Sequence, residues 1–384
     1  MTKEERNALV RPSPGAVEKM GTGASNILSH MVSDAIGVAR SQEKQLAETR
    51  FRIGNYEFRS PDYRQILLWA EALKIDPITV VERLENAFTH ALDDDTYRIN
   101  SFCVENGAIV SVVWDFESLP LSRLEWVEGL SICEIVFQGA QGAPIDISRR
   151  LPSLRRLMVA GNDLRALDLS NVPKLTNLYC QYNHLTKLDL SKVPELIVLD
   201  CGSNPLTELD LSNVPQLSEL YCFENQLTKL DLSKVPQLRE LYCDFSELAE
   251  LNLSNALALS VLYCPNNQLT KLGLSNAPRL REVDCSFNQL TELDLSGAPE
   301  LTKLHCYVNQ LTELNLSNVP KLTELDCRGN QLTEFDIGSS KELERWHCDP
   351  LVNITGWLAR KGPDWVLDTL GRRDALGLQN GKNE

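Results

Sequence analysis

The chain has 384 residues, 43% of them apolar, enough for a buried core and too many for a disordered polypeptide. Thirty-eight basic against fifty-three acidic side chains leave a net charge of −15, which opposes a nucleic-acid-binding surface. No apolar run approaches the roughly 20 residues that a membrane-spanning helix needs, so no membrane span is expected.

Residues 1–23 are rich in glycine, proline and charge and read as a disordered leader. They lack the apolar stretch of a secretory signal, so the expected location is cytoplasmic, with export by an unrecognised route as the alternative. The eleven cysteines are then expected as reduced thiols. Residues 24–98 read as a small helical module. Ala24, Ile27, Leu28, Met31, Val32, Ala35, Ile36 and Ala39 follow a helical period and predict an amphipathic helix ending near Glu48. Ser60-Pro61 is a cap and first turn for a second helix, to about Lys74, carrying Tyr63, Ile66, Leu67 and Trp69. Asp76-Pro77 opens a third, with Val80, Val81, Leu84 and Phe88. The histidines of this module, His30 and His90, have no cysteine or acid at ligand or triad spacing.

Residues 99–153 change to a strand pattern and read as an N-terminal cap with irregular opening coils. Asn106-Gly107 is a tight-turn signal, and the runs from Ile109 to Trp114 and from Ile132 to Phe137 are predicted strands. Cys103 and Cys133 fall here; they are expected as free buried thiols, a redox pair being the alternative.

From residue 154 to 348 one pattern recurs every 21 residues, L-x-x-L-x-C-x-x-N-x-L-T-x-L-D-L-S-x-x-P-x. It places nine cysteines in register at Cys180, Cys201, Cys222, Cys243, Cys264, Cys285, Cys306, Cys327 and Cys348. Leu175, Leu178 and Cys180 take inward positions on a strand, and Leu185, Leu188, Leu190 and Val193 do so on the return limb. One such coil cannot offset its own ordering entropy, so stability belongs to the stack and its caps. The cysteine column is expected to be packing. Cβ vectors of stacked coils run parallel, which disfavours disulfides; no CxxC pair suggests zinc; and the position is one that Leu or Val fills in other units. The asparagines that follow, among them Asn183, Asn204 and Asn225, are expected to satisfy backbone groups freed at the turn. The aspartates of the return limb, such as Asp189, Asp210 and Asp231, are expected as an exposed, solvated row, since they lack the glycine-rich context of calcium-binding repeats. Repeat five departs most, with Ser246 in place of Asn and Leu257 in place of Pro, through local bulging or drift.

The L-x-x-L-x-C-x-x-N core is a leucine-rich-repeat signature, and the 21-residue unit with its cysteine column resembles the bacterial subclass of the internalin J type. The resemblance covers about half of the chain. It implies an α/β repeat solenoid, a leucine-rich-repeat horseshoe or arc with a parallel concave β-sheet and short extended or 3-10 segments on the convex side. The outward side chains of that sheet would form the binding surface. They include Tyr179, Asp200, Tyr221, Tyr242, Tyr263, Asp284 and His305 before the cysteine, and Phe223, Phe245, Phe287 and Tyr307 after it. They mix aromatic groups with acids such as Glu219, Glu240, Glu282 and Glu324. Tyrosine brings contact area and a hydrogen bond at low entropic cost. Ten strands at about 4.8 Å would span roughly 45 Å, the scale of a protein segment.

Residues 349–384 read as a C-terminal cap of two short helices, split at Gly362-Pro363, with a polar tail. Effector ubiquitin ligases with such repeats carry a large catalytic domain after the array, which this segment is too short to be. The expected role is a non-catalytic scaffold for a protein partner, with no cofactor, metal or nucleic acid. The alternatives are a translocated bacterial effector whose N-terminal module carries an unrecognised activity, and a surface adhesin.

Overall fold

The computed structural model describes residues 50–86, 102–116, 119–120, 129–141, 151–350 and 352–355. The amphipathic helix expected over 24–48, the histidines His30 and His90 and the helices expected after residue 356 lie outside them.

In chain order, a hairpin of β1 (Arg50–Ile53) and β2 (Tyr56–Arg59) leads into α1 (Ser60–Leu73) and α2 (Pro77–Glu85). Strands β3 (Phe102–Glu105), β4 (Ala108–Asp115) and β5 (Glu134–Gln138) follow. Each later coil then contributes a strand: β6 (Arg156–Met158), β7 (Asn177–Tyr179), β8 (Val198–Asp200), β9 (Glu219–Tyr221), β10 (Glu240–Tyr242) and β11 (Val261–Tyr263). Two-residue strands β12 (Leu272–Gly273) and β14 (Leu293–Asp294) flank β13 (Glu282–Asp284), and the series continues with β15 (Lys303–His305) and β16 (Glu324–Asp326). The last elements are β17 (Glu334–Asp336), β18 (Arg345–His347) and β19 (Asn353–Thr355).

Thirteen strands, from β3 to β18, make one sheet. β3 and β4 pair antiparallel through Asn106 and Gly107, whose φ values of 50° and 77° close the tight turn; every later pair is parallel. Strands stay short because the chain must turn into the core at the cysteine. On the opposite side, β12 pairs with β14 and β17 with β19, and elsewhere the return limb is a succession of turns such as Val193 N to Leu190 O and Leu196 N to Val193 O. Together these make a leucine-rich-repeat solenoid. Its core is continuous from Ile53 to Val352, with the inward leucines of every coil in one cluster.

The N-terminal segment differs from an all-helical module. Phe51, Ile53, Tyr56 and Phe58 alternate with charged residues about Gly54, at φ 57°, and form a hairpin that buries Ile53 and Phe58. This unit is fastened to the solenoid. Trp69 of α1 meets Trp114 of β4 at 4.7 Å between ring centroids. Asp62, with no exposed surface, accepts a hydrogen bond from Ile109 N at 3.0 Å and pairs with Arg59, which also reaches Ser131 Oγ.

Candidate functional site

Every coil presents two outward positions on its strand, and in-register parallel pairing turns each into a column. The column preceding the cysteine reads Val113, Val136, Met158, Tyr179, Asp200, Tyr221, Tyr242, Tyr263, Asp284, His305, Asp326, His347. Beneath it the thiols of Cys180 to Cys327 are buried and free. Burial raises their pKa values, so they stay protonated and unreactive at neutral pH. Cys348, on the last coil, is only partly covered, and its thiol is pushed up to about 11.

The asparagine after each cysteine joins neighbouring coils. Asn204 Nδ2 donates to Cys180 O at 3.0 Å in the preceding coil while its Oδ1 accepts from Leu185 N at 2.9 Å; Asn225, Asn267, Asn288 and Asn309 repeat the arrangement. The aspartates of the return limb are exposed, but they are more than solvated charge. Each accepts a hydrogen bond from the backbone N–H two residues on, as from Ser191 N to Asp189 at 2.9 Å. Asn252 and Asn315 do the same with a neutral oxygen. Those bonds hold the Asp189, Asp210 and Asp231 carboxyls below the usual range.

Along the concave column the chemistry changes in three steps. Val113, Val136, Met158, Tyr179 and Val198 form a small apolar cluster, with Tyr221 packed against its edge. Next, Tyr221, Tyr242 and Tyr263 stack face to face, with centroids 4.8 and 5.2 Å apart and planes within 15° and 22°. Glu219 and Glu240 stand beside them, and Tyr221 donates to Glu240 at 3.3 Å. Burial, followed by neighbouring acids, raises the pKa of Glu219 and pushes Tyr242 up to about 12. In the third part acids meet cations: Lys303 pairs with Glu282 at 2.8 Å, His305 lies between Asp284 and Glu324, Arg345 pairs with Glu324 and Arg328 with Asp326.

The residues expected as exposed contacts therefore divide. Phe245 and Phe287 project into solvent, and Tyr221, Phe223, Tyr242, Tyr263, His305 and Tyr307 are half-buried. Tyr179, Asp200 and Asp284 are buried, contrary to expectation, because each is walled by side chains of both neighbouring strands. After the strand, Phe223 lies across Gly202, where any Cβ would fall 2.4 Å from its ring, and meets Tyr182 edge-on at 6.3 Å. Phe287 meets Tyr307 in the same way at 5.1 Å. The apolar extension through Val113 and Val136 escaped the sequence reading; aligning these two predicted strands with the repeats would have found it.

A solenoid with one thiol per coil, an asparagine bridge between coils and a parallel concave sheet is a leucine-rich-repeat protein of the cysteine-ladder kind. Among solved structures it is similar to the functional domain of InlJ from Listeria monocytogenes, itself described as including a cysteine ladder. The identity is 35% and the TM-score 0.55, over 64% of this chain and 53% of that one. This chain thus spans about half of that domain's length. An internalin, InlF, also from Listeria monocytogenes, matches at 18% identity and a TM-score of 0.55, over 75% of this chain and 92% of that one, which speaks for the fold alone. No protein-family profile matches the chain. No curated protein matches it either. Among the described residues no helix is long and apolar enough to cross a membrane, and no group of three His, Cys, Asp or Glu side chains could hold a metal ion.

Proposed function

We propose that this chain is a non-catalytic scaffold that binds a protein partner on the concave face. Leucine-rich-repeat solenoids in general use such surfaces for protein interaction. The observation that carries the reading is the stack of Tyr221, Tyr242 and Tyr263 beside Glu219 and Glu240, two acids with no ion pair among the described residues. Stacked, half-buried tyrosines offer rigid contact area with polar tips, the composition of interface hot spots. The edge of the face adds support. Tyr182, Phe245 and Phe287 sit in the left-handed region, at φ 58°, 48° and 52°, although Gly161, Asn266 and Gly329 fill the same repeat position with suitable residues. A bulky ring there is strained by about 1–2 kcal/mol relative to glycine and exposed as well, so stability does not account for it.

The test replaces Tyr221, Tyr242 and Tyr263 with alanine and compares partners captured from native extract by wild type and variant. The expected result is loss of the wild-type partner with the melting transition retained. Equal recovery by the folded variant would overturn the reading.

A further inference from the structure

Three aspartates occupy the concave column, and two of them face a basic side chain of this chain. Asp284 has His305 Nδ1 3.8 Å from its Oδ2, and Asp326 is held by Arg328 through contacts of 2.9 and 2.6 Å. Burial works against ionisation of both, yet His305 and the Ser286 N–H beside Asp284, and the bonds from Arg328 to Asp326, bring their carboxyls below the usual range. Asp200 is buried more deeply, at 4% exposure against 8% for each of the others, and has no such cation. Where Arg328 follows Asp326, Gly202 follows Asp200; where the next strand gives Asp284 a histidine, it gives Asp200 Tyr221. Its hydrogen bond from the described chain is Gly202 N to Oδ1 at 3.1 Å. Burial raises its carboxyl to about 7.

The surroundings form a seat. Asp200 lies in register between Tyr179 and Tyr221, and the longer tyrosine side chains on either side wall its carboxylate. Glu219 stands on the adjoining strand without an ion pair among the described residues, and the apolar cluster of Met158, Tyr179 and Val198 lies on the other side.

We propose that Asp200 is the anchor for a cationic side chain of the partner protein, best fitted by arginine, whose planar guanidinium enters between the rings of Tyr179 and Tyr221. The inference rests on the reading that the concave face takes a protein, and adds the point at which that protein's charge is fixed. The incoming cation does for Asp200 what Arg328 does for Asp326. The guanidinium pairs with the carboxylate in a charge-assisted bond, stacks on tyrosine faces and lays its alkyl stem on Val198. Residues flanking the arginine meet aliphatic side chains toward β6 and the acidic tyrosine stack toward β10, so the fitting segment is apolar on one side and basic on the other.

The experiment measures binding of fluorescein-labelled nona-arginine to the full chain by anisotropy. It compares wild type with Asp200→Asn and with Asp189→Asn, the same charge change on the exposed return limb. Asparagine keeps an oxygen for Gly202 N, and circular dichroism melting verifies the fold. The expected result is about tenfold weaker binding for Asp200→Asn, with Asp189→Asn within about twofold of wild type, as for a solvated surface charge. Equal weakening by both variants, no weakening by Asp200→Asn, or no binding to wild type overturns the proposal. A tyrosine-to-alanine variant that loses its captured partner, while Asp200→Asn retains both partner and peptide, removes this anchor and leaves the concave-face reading intact.

Discussion

A carboxylate buried without a counter-charge is a standing cost to the fold, and at Asp200 the cost depends on pH. Its folded-state pKa, about 7, lies above the ordinary value of 3.8, so between those values the folded chain holds a proton that the unfolded chain releases. Stability from this group is therefore greatest below pH 4, declines as pH rises through 7 and is lowest above it. Asp200→Asn removes the dependence. Urea unfolding is expected to show the variant more stable by a few kcal/mol at pH 8, of the order of 4 at most, and nearly unchanged at pH 4. A variant that folds better and binds worse is what a residue kept for recognition should give. Asp284 and Asp326 share the column and its burial, but His305 and Arg328 beside them offset the cost and bring both carboxyls below the usual range.

At the scale of one coil, the unit of stability is the bridge between neighbours, and repeat five lacks one. Ser246 stands where asparagine should reach back to the preceding coil, and its buried hydroxyl has no hydrogen-bond partner. The leucine N–H groups on either side of the gap, Leu206 and Leu248, donate to Asn225 and Asn267 of the coil that follows each. Ser246→Asn is expected to restore the bridge and raise unfolding stability by about 1–2 kcal/mol, read from the urea midpoint at constant slope. This column was legible in the sequence because a strict 21-residue period converts directly into stacking, and the same holds for the thiols. Other features depended on neighbours that no period reveals. The burial of Tyr179 and Asp200 follows from side chains on adjoining strands. The apolar extension of the concave column was hidden because Val113, Val136 and Met158 are 23 and 22 residues apart rather than 21. The hairpin of β1 and β2 was missed for a related reason: four-residue strands carrying Arg50, Arg52 and Arg59 alternate too briefly to stand out.

At the scale of the whole molecule, a solenoid is as stable as its ends allow, because a terminal coil exposes a face that every internal coil buries. Here the N-terminal end is covered by α1 and α2, and the attachment centres on Asp62. It accepts from Ile109 N on β4, and its partner Arg59 bonds Ser131, so helix, hairpin and first coils are fixed through one carboxylate. Removing it leaves Ile109 N and Arg59 without that acceptor and loosens the contact of Trp69 with Trp114. Asp62→Ala is expected to destabilise the attachment by about 3 kcal/mol or more, as for a buried pair broken on one side. Because coils couple only to their neighbours, the loss should stay local. Hydrogen exchange should accelerate at the amides of β4, β5 and β6 while those of β13, β15 and β16 keep wild-type protection. Uniform acceleration along the sheet would mean that the array opens as one unit, and that the concave columns are rigid from end to end rather than coil by coil.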